Sequence, residues 1–126
     1  MAQLILHLIG DYLLQSGWMA ANKAKCHVAA FVHALVYSIP FLLLSPSENA
    51  WLVIFVTHFF IDRYSLAKRV ATVKNYLAPC KHWPKNGDLS DFGYHKHTPD
   101  FLAMWLLIIT DNTLHLLINF VALKYL

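Results

Sequence analysis

The sequence predicts an all-α fold: a four-helix transmembrane bundle with one long polar loop between helices 3 and 4. Three observations predict it. The 126 residues are 58% hydrophobic and only 13% charged, with a mean hydropathy of +0.46, too apolar for an average soluble domain. Four apolar stretches separate at about residues 2–20, 27–46, 49–69 and 100–123, each near the roughly 20 residues that a helix needs to cross a hydrocarbon core. A soluble helical bundle would carry more charge on its outward faces.

The first stretch contains "HLIGDYLLQ", in which His7, Asp11 and Gln15 are four apart and fall on one stripe of a helix. It has neither a basic start nor an A-x-A site, so it reads as a retained helix rather than a cleaved signal. "SGWMAANKAKC" (16–26) leads to the second stretch, which carries His33 and Tyr37. "SPSEN" (45–49) is a tight turn into the third, which carries His58 and Asp62 in "THFFIDRY". The connection of about residues 70–99 is polar, and three of the five prolines fall within 78–99. It reads as a soluble loop, mobile relative to the spans and not needed for metal binding by the bundle. The fourth stretch carries Asp111, Asn112, His115 and Asn119 in "TDNTLHLLIN". The whole chain, 1–126, is expected to be a single integral membrane domain.

Charge sets the expected orientation. Nine of the ten Lys and Arg residues fall in or beside the first and third connections, and Lys124 alone lies opposite. The positive-inside rule then puts those connections in the cytoplasm and both termini outside. The net charge of +3 is accounted for by anionic lipid and calls for no nucleic acid. Trp18, Trp51, Trp83 and Trp105 read as interfacial belt residues. Cys26 and Cys80 share the reducing side, so no disulfide is expected.

The polar residues inside the spans carry the chemistry. Three of the four stretches hold a His/Asp pair at i, i+4, and the second adds His33. Three unpaired aspartates near the bilayer centre oppose insertion by roughly 8–10 kcal/mol, so something must offset them. Counted at about 1.5 Å per residue, the seven side chains of His7, Asp11, His33, His58, Asp62, Asp111 and His115 overlap in depth and are candidates for one metal centre. Seven ligands exceed one ion and suit two divalent ions; carboxylate with imidazole and no thiolate suits Zn, Mn, Fe or Mg. Gln15, Tyr37, Asn112 and Asn119 are candidates to orient the ligands. Arg63 and Lys68 are candidates to bind an anionic head group. In the long loop Cys80, His82, His95 and His97 are four further potential zinc ligands.

"HLIGDYLLQSGWMAANK", "HFFIDRYSLAK" and "DNTLH" resemble the motifs of a family of small bacterial and phage membrane proteins known as domain of unknown function 3307. Those motifs are H-x-x-x-D-[FY]-x-[LF]-Q, H-[FW]-x-[IL]-D-x-x-K and D-[QN]-x-x-H. The middle one departs from the pattern, since Lys68 lies six residues after Asp62, and Asn112 stands where glutamine is commoner. The resemblance covers nearly the whole chain. It implies a multi-pass protein of the bacterial inner membrane and confers no activity. More distantly, the architecture is similar to small membrane proteins described as metal-dependent hydrolases.

Three classes of function follow. A two-metal centre in a bilayer suits hydrolysis of a phosphate or acyl ester, with a lipid or lipid-linked compound as the reachable substrate. The same polar column would serve an ion-binding or transport protein, for which broken helices are the sign. A non-catalytic phage or host membrane interaction protein would use the His/Asp pairs only to hold its helices together. Membrane lipids are the expected partners, and association into a homo-oligomer is compatible with each class.

Overall fold

The computed structural model describes residues Met1–Leu126 and is all-helical. Six α-helices follow one another: α1 (Ala2–Leu8), α2 (Gly17–Asn22), α3 (His27–Ser38), α4 (Glu48–Arg63), α5 (Leu66–Lys74) and α6 (Asp100–Tyr125). There is no sheet; one antiparallel bridge joins Leu89 and His95. The chain forms two compact units. One is Met1–Tyr64 with Leu114–Leu126, and the other is Ser65–Thr113.

In the first unit, the helix expected over 2–20 is interrupted. After α1 the chain widens into a π-helical turn, Ile9–Leu13, closed by Leu14 N–H donating to the Ile9 carbonyl at 2.9 Å. A π turn accommodates one extra residue, so everything beyond it leaves the 3.6-residue register. Gly10 sits in this turn because Tyr37 lies against it: a Cβ there would stand 2.5 Å from Tyr37 Cδ2 and 3.1 Å from the Tyr37 Cα. Ser16 then restarts the chain as α2, its hydroxyl accepting Met19 N–H at 3.3 Å, as a good N-cap residue competes with helix continuation.

α3 passes into a 3-10 segment, Ile39–Leu44, at Pro40, which has no N–H to continue the α ladder. Ser45 takes the left-handed conformation, φ 49°, and reverses the chain. Ser47 Oγ accepts from Ala50 N–H at 3.0 Å to cap α4 and donates to the Leu126 carbonyl at 2.8 Å, tying the end of α6 to the start of α4. Leu6, Tyr37, Phe41, Ala50, Ile54 and Ala122 form the apolar core of this unit. The stretch expected as one helix over 49–69 breaks at Ser65, also left-handed at φ 49°. Few non-glycine residues take that conformation, and it ends a helix.

In the second unit α5 continues in a 3-10 turn to Leu77, so the polar loop expected from about residue 70 begins near Ala78 instead. Ala71, Tyr94 and Ala103 form its core. Gly93, at φ 82°, leaves only 2.7 Å between an added Cβ and the Lys68 carbonyl oxygen, and its own carbonyl accepts from Asn75 Nδ2 at 2.8 Å. Lys74 Nζ donates to Thr110 Oγ1 at 2.7 Å.

The distribution of side chains is inverted relative to a soluble protein. Leu43 is 81% exposed, and Val28, Phe31, Leu52, Phe101, Trp105 and Leu117 each expose about half or more of their surface. His7, His33 and His58 are no more than 1% exposed. Such apolar exteriors mark contact with lipid or another protein. Two helical segments, His27–Leu44 and Asp100–Tyr125, are long and apolar enough to cross a membrane; the broken pair Glu48–Arg63 and Leu66–Leu77 is a third if it counts as one span. α1 with its π turn spans seven and five residues, about 18 Å, which is short of a full crossing.

Gly10→Ala is expected to destabilise the protein by about 1–3 kcal/mol, since the buried Tyr37 ring must move to admit a methyl group. Gly17→Ala, whose Cβ would meet nothing within 4 Å, is expected to carry no such packing cost. Unfolding of the two variants in detergent, followed by circular dichroism, measures the difference.

Candidate metal centre

Three elements bring four ionisable side chains together in the first unit. The π turn presents Asp11, the middle of α3 presents His33, and α4 presents His58 and Asp62 one turn apart. All four are buried, and the donor atoms they offer lie within 4.8 Å of one another. His33 Nε2 stands 3.2 Å from Asp11 Oδ1 and 3.0 Å from Asp62 Oδ2. His58 Nε2 stands 3.5 Å from Asp11 Oδ1, 3.1 Å from Asp62 Oδ2 and 3.0 Å from His33 Nε2.

These distances fit a coordination shell as well as hydrogen-bonded pairs. Four donors arranged tetrahedrally at metal bonds of about 2.0–2.1 Å are separated from one another by about 3.3–3.4 Å. Five of the six separations among these four donors lie between 3.0 and 3.5 Å. Asp11 Oδ1 and Asp62 Oδ2 are also buried without a hydrogen bond of normal geometry, although nitrogens stand 3.0–3.2 Å away. His33 Nε2 and His58 Nε2 form a hydrogen bond with each other, and the two carboxylate oxygens beside them would balance a cation placed among the four. The cluster therefore has the composition and geometry to hold a metal ion.

A second ring of contacts fixes these groups. His7 Nδ1 lies 3.4 Å from Asp11 Oδ2, and His115 Nε2 lies 3.4 Å from Asp62 Oδ1, each approaching the carboxylate oxygen turned away from the central four. Tyr37 joins the parts: its hydroxyl accepts from Asn119 Nδ2 at 2.6 Å and lies 2.9 Å from His7 Nδ1. The Tyr37 ring stacks on His58 at 3.6 Å between centroids, and His115 stacks on His58 at 4.1 Å. The His58 imidazole thus packs against two rings, and that packing orients it where its buried Nδ1 has no hydrogen-bond partner to do so.

Lys23 was not legible as part of this group. Its Nζ is 3.0 Å from Asp62 Oδ2 and 3.3 Å from His33 Nε2, and its side chain is 21% exposed where that of Asp62 is 2%. In the sequence it is one of two lysines in a connection and counts only toward orientation. The signal available was its position at the end of "HLIGDYLLQSGWMAANK", a stretch that otherwise holds a carboxylate with no cation.

Other expected site residues are placed differently. Gln15 lies beyond the π turn, outside α1, so the stripe that begins with His7 and Asp11 does not continue to it; its Oε1 is buried without a hydrogen-bond partner. Asn112 is half-buried on α6, in the second unit, whereas Asp111, also half-buried, stands one turn before His115 on the same helix, as its spacing predicts. Arg63 is engaged within the protein: Nη1 donates to the Ala24 carbonyl at 2.9 Å and Nε to His27 Nδ1 at 3.2 Å, which pins the start of α3 to the end of α4. Lys68, on α5, is half-buried in the second unit. Cys80, His82, His95 and His97 do not gather: among them no three donor atoms come within 4.8 Å of one another, and His95 Nε2 donates to the His82 carbonyl at 2.8 Å. Both cysteines are free and exposed.

Tyr37→Phe keeps the ring that clamps His58 and removes the hydroxyl between Asn119 and His7. Leaving those buried groups without their partner is expected to cost about 1–3 kcal/mol. Denaturant unfolding of wild type, Tyr37→Phe and the double variant with Asn119→Ala measures it, and the double variant should recover part of the loss.

No curated protein and no solved structure matches the chain. One family does match, described as protein of unknown function (DUF3307), and the match runs over residues 1–126. With its full length matched, the chain belongs to the DUF3307 family.

Proposed function

We propose that the protein is a membrane-embedded, metal-dependent hydrolase acting on a phosphate or acyl ester of a lipid or lipid-linked compound. The observation that carries the reading is the set of five donor separations of 3.0–3.5 Å among Asp11, His33, His58 and Asp62. Four protein ligands close a tetrahedral zinc site, and a catalytic ion needs an open position for water. An ion that takes six ligands, such as Mn, Fe or Mg, keeps two positions beside the same four residues, one for water and one for the ester oxygen. A second ion would draw on His115 and Asp111, which are four apart on α6, as the count of seven candidate ligands suggests.

Lys23 is the most exposed charged group at the centre, so it marks the side from which a polar substrate arrives. It is suited to meet the anionic oxygen of an ester or phosphate. The membrane setting of the proposal is an integral domain of the bacterial inner membrane, with the Lys- and Arg-rich first and third connections in the cytoplasm. The nine-to-one division of Lys and Arg supports that orientation.

An ion-binding or transport role is the second reading, favoured by the break in the first helix. Asp11 lies within the π turn itself, and membrane transporters place coupling-ion sites at interrupted helices.

Elemental analysis of detergent-purified protein is expected to find a divalent metal in stoichiometric amount. Asp11→Asn and Asp62→Asn should each weaken binding beyond the roughly 10–100-fold that loss of an orienting partner costs. Their combination should be far from additive, because both act on one ion. Metal-dependent release of phosphate or fatty acid from a lipid ester in mixed micelles then separates the two readings. Bound metal with turnover of neither ester class favours the ion-binding role, and wild-type protein without metal overturns both.

Lys23 and a metal ion compete for Asp62 Oδ2. Lys23→Met is therefore expected to tighten metal binding about tenfold or more, read by competition with a chromophoric chelator, since a cation of like sign about 4 Å away costs several kcal/mol at an effective dielectric near 20. An unchanged affinity would show that Lys23 and the ion do not oppose each other.

A further inference from the structure

We propose that the second unit carries a binding site for a phosphate group, separate from the metal centre. Lys81, Lys85, Lys96, His82, His95 and His97 line one cavity of about 580 Å³, within the range of clefts that hold small ligands. Three lysines line it against one carboxylate, Asp88, and Asp88 Oδ2 already accepts Lys85 N–H at 2.9 Å. The lining is cationic even with neutral imidazoles, so the complementary ligand is an anion.

The cavity is framed by its own hydrogen bonds. Lys96 N–H donates to the Asp88 carbonyl at 2.8 Å and Ser90 N–H to the Tyr94 carbonyl at 2.7 Å, which holds Lys85 and Lys96 on neighbouring stretches of chain. The His95 contact to the His82 carbonyl fastens the third side, and Trp83 Nε1 donates to the Ala78 carbonyl at 2.8 Å. A metal is not the matching occupant, because these imidazoles do not converge as those of the buried centre do. A phosphate is: three ammonium groups spread around a cavity match its several equivalent oxygens better than the two of a carboxylate, and lysine binds phosphate as a point charge without a fixed fork. Two sources carry such a group, a lipid head group and a soluble phosphate compound.

The test uses the full chain in phosphatidylcholine nanodiscs with inorganic pyrophosphate as the probe. Calorimetric titration is expected to show binding that Lys81→Gln/Lys85→Gln/Lys96→Gln weakens at least about tenfold, as loss of charged partners does. Lys25→Gln/Lys124→Gln, which removes two charges outside this unit, should leave it unchanged. Should the triple variant fail to fold by circular dichroism, Lys96→Gln alone is expected to weaken binding about threefold. Nanodiscs containing phosphatidic acid separate the two sources. Competition with pyrophosphate that needs the three lysines supports a lipid head group, and binding without competition supports a soluble phosphate compound. No binding of pyrophosphate and no lysine-dependent retention of phosphatidic acid, or equal weakening by both sets of substitutions, overturns the site.

Discussion

Two carboxylates, Asp11 and Asp62, sit in the interior of an apolar helical unit, 5% and 6% exposed, and the cost of keeping charge there shapes everything around them. A buried carboxylate is tolerable only when positive charge or several donors surround it. The first unit supplies imidazoles from α1, α3, α4 and α6, and the ammonium of Lys23 from the end of α2. This explains why its polar residues are inside and its leucines and phenylalanines outside. It also explains why four imidazoles are present where hydrogen bonding alone would need fewer: histidine packs as a ring, as the stack of Tyr37, His58 and His115 illustrates, and still offers a nitrogen to a charge.

The backbone is adjusted to serve that cluster. An uninterrupted first helix would keep a strict 3.6-residue stripe. The π turn instead widens the helix where Asp11 must reach His33, and Gly10 lets the Tyr37 ring close over it. Tyr37 then has three jobs at once: it packs in the apolar core, stacks on His58, and links Asn119 to His7 through its hydroxyl. The bond from Ser47 to the Leu126 carbonyl holds α6 against α4, and with it His115 beside Asp62. His58 is held by a neighbour, Tyr37, that is also part of the apolar packing.

The second unit solves a different problem. Its helices bury alanines and a tyrosine, and its loop spends its hydrogen bonds on its own backbone, leaving lysines and histidines turned toward a cavity. Polar side chains there need no compensation by metal because water reaches them. The buried histidines of the first unit converge on two carboxylates, whereas those of this loop do not gather.

Much of this was legible in the sequence. Period-four spacing and the expense of charge in an apolar setting are local and additive, so they identify the helical class and point to His7, Asp11, His33, His58, Asp62, Asp111 and His115 as residues that need one another. Tyr37 and Asn119 could be named as helpers for the same reason. What only the tertiary structure decided is where the helices depart from ideal geometry and which atoms then meet. The π turn that drops Gln15 from the stripe depends on Gly10 being pressed by a ring 27 positions away. The left-handed Ser65 that divides the third stretch is no stronger a breaker in sequence than any other serine. Lys23 reaches Asp62, and Arg63 is drawn to His27 and Ala24, although both look alike in a count of basic residues. Periodicity records which face of a helix a residue occupies, whereas the assignment of one particular cation to one particular carboxylate is made by packing across distant segments, and no local pattern encodes it.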